Sequence, residues 1–185
     1  TKITFACTSN PSQFQVDLTE HGIPMVQIEL NSDTFDEFIK ELNPTLVLFD
    51  RFMTEEQYGW RVMEHCPDAL RILNTEDLHF LREARGLAVK KNKPIDISKQ
   101  SDLESTKCFR EIASIYRSDL TLLVSEVEIE ILKNTFQLPE HLLYYLPLFA
   151  SEEIRTLPSF EERSNFMFIG NFLHEPNWDA LRHLS

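Results

Sequence analysis

Short apolar runs alternate with amphipathic stretches along most of this chain, and that alternation is its first structural statement. Ile3–Cys7, Ile23–Leu30, Thr45–Phe49, Leu70–Leu73, Leu120–Val124 and Leu142–Pro147 read as strands. The run Thr45-Leu-Val-Leu-Phe49 is almost continuously apolar, the mark of a strand buried on both faces. Between the runs the period lengthens to that of a helix. Phe35, Phe38, Ile39 and Leu42 recur at i, i+3, i+4 and i+7, and Leu78, Leu81, Ala84 and Ala88 share one face of a helix over Leu78–Lys90. Further helices are predicted over Phe14–His21 (closed by Gly22), from Thr54 to about Cys66, over Ser101–Arg117 with Phe109, Ile112, Ala113 and Tyr116 facing inward, and over Glu126–Phe136. Thr34 with Glu37, Thr54 with Gln57 and Ser125 with Glu128 have the spacing of capping boxes. The predicted fold is α/β: a Rossmann-like parallel sheet with helices on both faces.

The texture changes after Leu138. Residues 1–150 are predicted to form the Rossmann-like domain and 151–164 a polar, proline-containing linker. Residues 165–185 are predicted to begin a second Rossmann-like domain, with a strand over Asn165–Asn171 and a helix from Glu175 that carries Pro176 in its first turn.

Chemistry concentrates at one place in this pattern. In an open parallel sheet the ligand crevice lies beyond the carboxyl ends of the strands. The Leu70–Leu73 strand runs there into Asn74-Thr-Glu-Asp-Leu-His79, two carboxylates and an imidazole at the start of a helix. Asp77 as N-cap and Glu76 as a charge complementing the helix dipole are the plain structural roles for such residues. His79 goes beyond them, because an imidazole beside two acids is easily moved across neutral pH.

Composition narrows the function. A net charge of -12 argues against nonspecific nucleic-acid binding, which rests on neutralising phosphates with Lys and Arg. No apolar run approaches the roughly eighteen residues of a membrane helix and no signal-peptide pattern opens the chain, so a cytoplasmic location is expected. Cys7, Cys66 and Cys108 lack the spacing of a disulfide framework or zinc site and read as buried thiols. The four glycines, Gly22, Gly59, Gly86 and Gly170, form no phosphate-cradling cluster. Lys90, Lys91 and Lys93 lie in a polar, Pro-broken stretch that reads as a solvated loop.

Four blocks carry a resemblance. They are Asp50-Arg-Phe-Met53 with Glu55-Glu-Gln57, Leu70–His79 with Leu81-Arg82, Leu122-Leu-Val-Ser-Glu126, and Phe166-Met-Phe-Ile-Gly-Asn-Phe-Leu-His-Glu-Pro-Asn-Trp-Asp179. Together, and in family order over nearly the whole chain, they resemble a branch of the GT-B glycosyltransferases of the family-4 type. The resemblance implies an enzyme with an acceptor-side domain and a donor-binding domain. It would transfer a sugar from a nucleotide-sugar donor to an acceptor hydroxyl, with retention, no metal and no cofactor. His79, Asp77 and Glu76 would form the catalytic crest; Asp50, Arg51, Glu55 and Arg82 would meet the acceptor; Ser125, Glu126, Gly170 and Asn171 would lie on the donor side. The acceptor itself is left open, as is the oligomeric state.

The resemblance further implies a βα unit ahead of Ile3 and a donor domain running past Ser185, so this chain is expected to be a fragment without turnover of its own. Two rivals stand beside that reading. One is a non-catalytic binding or scaffold module that keeps a glycosyltransferase-like acceptor domain, since fold does not fix function. The other is a receiver-like phosphoacceptor at Asp50, which lacks the acid pair expected after the first strand and the Lys expected after the last.

Overall fold

The computed structural model describes residues 1–10, 15–149, 158–171, 173 and 175–184. Contacts divide the chain into two units, Thr1–Leu148 and Phe149–Ser185.

The first unit is α/β, with parallel strands flanked by helices. Strands β1 (Phe5–Cys7) and β2 (Met25–Gln27) pair with each other as a small sheet. The main sheet holds β3 (Leu46–Asp50), β4 (Leu70–Asn74), β5 (Leu120–Leu123) and β6 (Leu143–Tyr145) side by side in chain order, all parallel. Its connections are the helices α2 (Phe52–His65), α3 (His79–Lys91), α4 (Gln100–Leu103), α5 (Thr106–Arg117) and α6 (Glu126–Asn134). Helix α1 (Thr34–Leu42) precedes β3 and packs on α2, with the rings of Phe35 and Tyr58 centred 4.4 Å apart and the Cys66 thiol donating to the carbonyl of Ile39.

The strand order explains where the core sits. Each crossover from β3 to β6 steps in the same direction, so right-handed connections put all of their helices on the same face. On that face Phe49, Leu73 and Leu123 are fully buried against Val62, Leu78, Phe80, Leu81, Ile115 and Leu132. Each such side chain contributes about 2 kcal/mol by leaving water. The opposite face carries Leu46, Leu48, Leu70, Ile72, Leu120, Leu122 and Tyr144 in register. There Leu48 and Tyr144 are each 54% exposed. The expected burial of the Thr45–Phe49 strand on both faces is therefore not met, and right-handed crossovers put α2 to α6, the helices between these strands, on one face of the sheet.

Several predicted elements change at their edges. The Ile23–Leu30 run pairs only over Met25–Gln27. The described part of the Phe14–His21 helix is one tight turn, Leu18–His21, capped by Asp17 and closed by Gly22 at φ +70°, while Phe14 lies outside the described residues. The Ser101–Arg117 helix is two helices broken at Glu104, with Ser105 capping the second. Its inward face is Cys108, Glu111, Ser114 and Ile115; Phe109 and Tyr116 face out.

The capping boxes also give way. Thr34 sits inside α1, with Ser32 accepting from its N–H. Helix α2 starts two residues ahead of Thr54, and Gln57 bonds Asn31 instead. Ser125 does cap α6, yet the Glu128 carboxylate turns elsewhere.

In the second unit the helix α7 (Glu175–Leu184) forms as expected, with Pro176 in its first turn. A tight turn over Phe160–Glu162 is closed by a capping box with Ser159. Asn165–Asn171 is not a strand: no described neighbour offers it a ladder of hydrogen bonds, and Phe166, Met167 and Ile169 are exposed. Of the predicted linker, residues 151–157 lie outside the described residues. Among the described residues no helix is long and apolar enough to cross a membrane.

Candidate functional site

The carboxyl ends of β3 and β4 form a crest whose backbone is under strain. Beyond Asp50 the chain enters α2 through Arg51, at φ +68° and ψ 156°. That region belongs almost wholly to glycine. The Arg51 N–H donates to the carbonyl of Asn74 at 2.8 Å and extends the ladder by one bond past the paired ends Asp50 and Asn74. Beyond Asn74, the buried Thr75 donates both its N–H and its hydroxyl to the carbonyl of Leu122, tying the crest to β5. Glu76 then takes φ +60°, and the Asp77 N–H donates back to the Thr75 carbonyl. The two left-handed residues face each other, with Nε and Nη2 of Arg51 both donating to Oε2 of Glu76, at 3.1 and 2.6 Å. That ion pair holds the Arg51 guanidinium above its ordinary range.

Helix α3 begins here, and its cap differs from the sequence expectation. The N-cap position falls to Leu78, which has no side chain to offer, while Asp77 turns toward Arg82 at 3.0 Å. The first N–H groups of α3 are instead met from a distance. Glu111 of α5 accepts from the N–H of His79 at 3.1 Å and of Phe80 at 3.0 Å, and Glu128 of α6 accepts from that of Leu78 at 3.3 Å. Burial pushes the Glu111 carboxyl up to about 7, with the two N–H groups working the other way. Glu128 is raised for the same first reason. Their Coulombic interaction with Asp77 adds in the same direction for both.

His79 lies beneath this surface, 6% exposed, its ring edge-on to Phe52 with centroids 5.4 Å apart. Its Nε2 is buried without a hydrogen bond, and Asp77 Oδ1 stands 3.5 Å away. Burial, and then the charge of Arg82, lower the imidazole below its ordinary value, with Asp77 opposing. The His79 Nε2 is thus a buried hydrogen-bonding position left unused. Asp77 beside it and Glu76 and Asp50 elsewhere on the crest add carboxylate acceptors, and Arg51 and Arg82 add donors.

The remaining predicted site residues divide between crest, interior and second unit. Asp50, Arg51, Glu76, Asp77 and Arg82 are at least partly open to solvent at the crest, and Glu126 is exposed in the first turn of α6 beyond β5. Ser125 is occupied as the cap of that helix. Glu55 points into the protein: it is 2% exposed, and Arg117 of α5 grips both of its carboxylate oxygens. Gly170 and Asn171 belong to the second unit, where Asn171 accepts from the Leu173 N–H and, through its carbonyl, from Asn177.

Sequence reasoning missed Glu111 and Glu128. The available signal was phase: Cys108, Glu111 and Ile115 are spaced at i, i+3 and i+7 as well as the aromatic stripe is, which puts a carboxylate on the buried side. Among the described residues no group of His, Cys, Asp and Glu is gathered to hold a metal ion. The cysteines are free, and burial pushes the Cys108 thiol up to about 11, away from nucleophilic use. No protein-family model, curated protein or solved structure matches the chain, so a functional reading rests on its own residues.

Proposed function

We propose that this chain is the acceptor side of a GT-B glycosyltransferase of the family-4 type, acting in the intact protein to move a sugar from a nucleotide-sugar donor to an acceptor hydroxyl. The observation that carries the reading is the buried His79, its Nε2 without a partner beside Asp77, at the carboxyl ends of parallel strands. A sugar is dense in hydroxyls, each able to donate and accept. Nε2 is enclosed in the structure, so one of them would satisfy it once the crest side chains over it turn aside, while Glu76, Asp77 and Asp50 orient the attacking hydroxyl. The similarity of the blocks at Asp50–Gln57, Leu70–Arg82, Leu122–Glu126 and Phe166–Asp179 supports the same reading.

The chemistry asked of the crest is electrostatic. Positive charge grows on the anomeric carbon and negative charge on the departing diphosphate, so fixed dipoles and carboxylates lower the barrier when water is kept out. Retention and independence of metal belong to the proposal. By the resemblance, donor contacts are assigned to Ser125 and Glu126 in the first unit and to Gly170 and Asn171 in the second.

One observation favours a second reading, a non-catalytic binding module. Two of the three crest carboxylates already have cationic partners, Glu76 in Arg51 and Asp77 in Arg82, an arrangement suited to a static polar surface. Release of nucleoside diphosphate from a panel of sugar nucleotides by the natural full-length protein and its His79→Ala variant separates the two. The enzyme reading expects turnover that drops roughly 100-fold in the variant, the scale of a misplaced substrate. Undiminished transfer in the variant removes the role given to His79, and silence on every donor favours the binding module.

A further inference from the structure

The start of α3 is built in an unusual way. A helix normally finds partners for its first N–H groups in its own N-cap side chain or in water. Here Leu78 stands at the cap, and two carboxylates more than thirty residues away do the work. Glu111 is 1% exposed and Glu128 9%, so both were taken from water to do so. A buried carboxylate is costly, and two close to Asp77 are costlier still. Neutral residues at these places would pack more cheaply, and a Ser or Asp at the cap would satisfy the helix locally. What distant carboxylates supply and a local cap does not is a link between three elements.

We propose that Glu111 and Glu128 are positioning residues for His79. Carboxylates on α5 and α6 grip the N–H groups of residues 78–80 and so fix the height and rotation of the first turn of α3, from which the imidazole projects against Phe52. Glu111 holds the backbone of His79 itself, so any shift of that carboxylate moves the ring relative to Asp77. Thr75 anchors the other end of the crest to β5. The residue between these anchors, Glu76, carries the left-handed strain. The role of the clamp in catalysis rests on the functional reading above, but its action on the imidazole does not.

Amide hydrogen exchange and imidazole NMR of the natural protein test this without any sugar. In the wild type the amides of His79 and Phe80 are expected to exchange far more slowly than that of Met53, at the start of α2, whose N-cap gives no side-chain bond. Glu111→Gln keeps the volume but loses one acceptor. Above about pH 7, where the Glu111 carboxyl is ionised, it should speed exchange at 79 and 80 by roughly 10- to 100-fold, the range for losing a hydrogen bond to a charged group. It should also shift the His79 imidazole signals, assigned through His79→Gln. Glu128→Gln should speed exchange mainly at residue 78.

Wild-type amides at 79 and 80 exchanging as fast as that of Met53 would overturn the clamp, and that comparison stands even where a variant fails to fold. Imidazole signals unmoved in a folded Glu111→Gln protein would reduce Glu111 to a structural cap and sink the proposal. A protein that shows the NMR effects but transfers no sugar would leave the clamp standing and remove only the enzyme reading.

Discussion

Replacing Arg51 separates two energies that the structure sets against each other. Its backbone, at φ +68° and ψ 156°, lies where a Cβ is unfavourable, a strain of about 1–3 kcal/mol. Its guanidinium is ion-paired with Glu76, but the two side chains are 45% and 48% exposed, and such pairs contribute only about 0–1 kcal/mol. Arg51→Ala removes the pair and keeps the strain. Arg51→Gly removes both, at the cost of about 0.4–1 kcal/mol of unfolded-chain freedom that the glycine regains. The glycine variant should therefore be more stable than the alanine variant by about 1–2 kcal/mol. At roughly 2–4 °C per kcal/mol for a chain of this size, thermal melts followed by circular dichroism should separate the two by several degrees. The Arg51 N–H bond to Asn74 survives in both, so it drops out of the comparison. A glycine variant no more stable than the alanine variant would refute the strain argument. Conversely, a natural protein that gains stability from glycine yet loses sugar transfer would tie the strain to function.

Glu111 gives a pH signature. Its carboxyl is raised from 4.5 to about 7, so the folded state holds the proton more tightly than the unfolded state does. The stability this group confers is then full below about pH 4.5 and is lost as pH rises through 7, about 3 kcal/mol in all. Urea midpoints measured across that window should fall more steeply in the wild type than in Glu111→Gln, and parallel curves would contradict the assignment. The two faces of the sheet offer a paired test. Leu73→Ala, on the helix-covered face, should cost about 2–5 kcal/mol, and Leu48→Lys, on the open face, less than about 1 kcal/mol. Equal losses would mean that the open face is covered in solution.

The alternation of strands and helices, the parallel sheet and the position of the crest were legible in the sequence, because strand ends and helix starts have local chemistry. What escaped was set by distant partners. Leu46-Val-Leu-Phe49 reads as buried on both faces because the apolar pattern of a strand records what its side chains are, while burial depends on whether a second layer arrives. The phase of α5 was misjudged for a related reason. Phe109, Ile112, Ala113 and Tyr116 make the more apolar stripe, but Glu111 is needed at the start of α3 and Arg117 at Glu55, and those contacts turn the helix. Asp77 had the right chemistry for a cap and lay one residue too early. The place of Glu76, Asp77 and His79 at the crest followed from position alone, while Arg51 entered through the resemblance; the burial of Glu55 was not legible, since its partner Arg117 is 62 residues away.

The open face of the main sheet also bears on how this protein responds to temperature and denaturant. Leu46, Leu48, Leu70 and Tyr144 already meet water in the folded unit, so unfolding adds less apolar surface than the same sequence would expose from between two helical layers. Heat capacity and denaturant sensitivity both follow the newly exposed surface. Its stability curve is therefore broader and flatter than that of a doubly covered sheet of equal length, and its unfolding in urea more gradual.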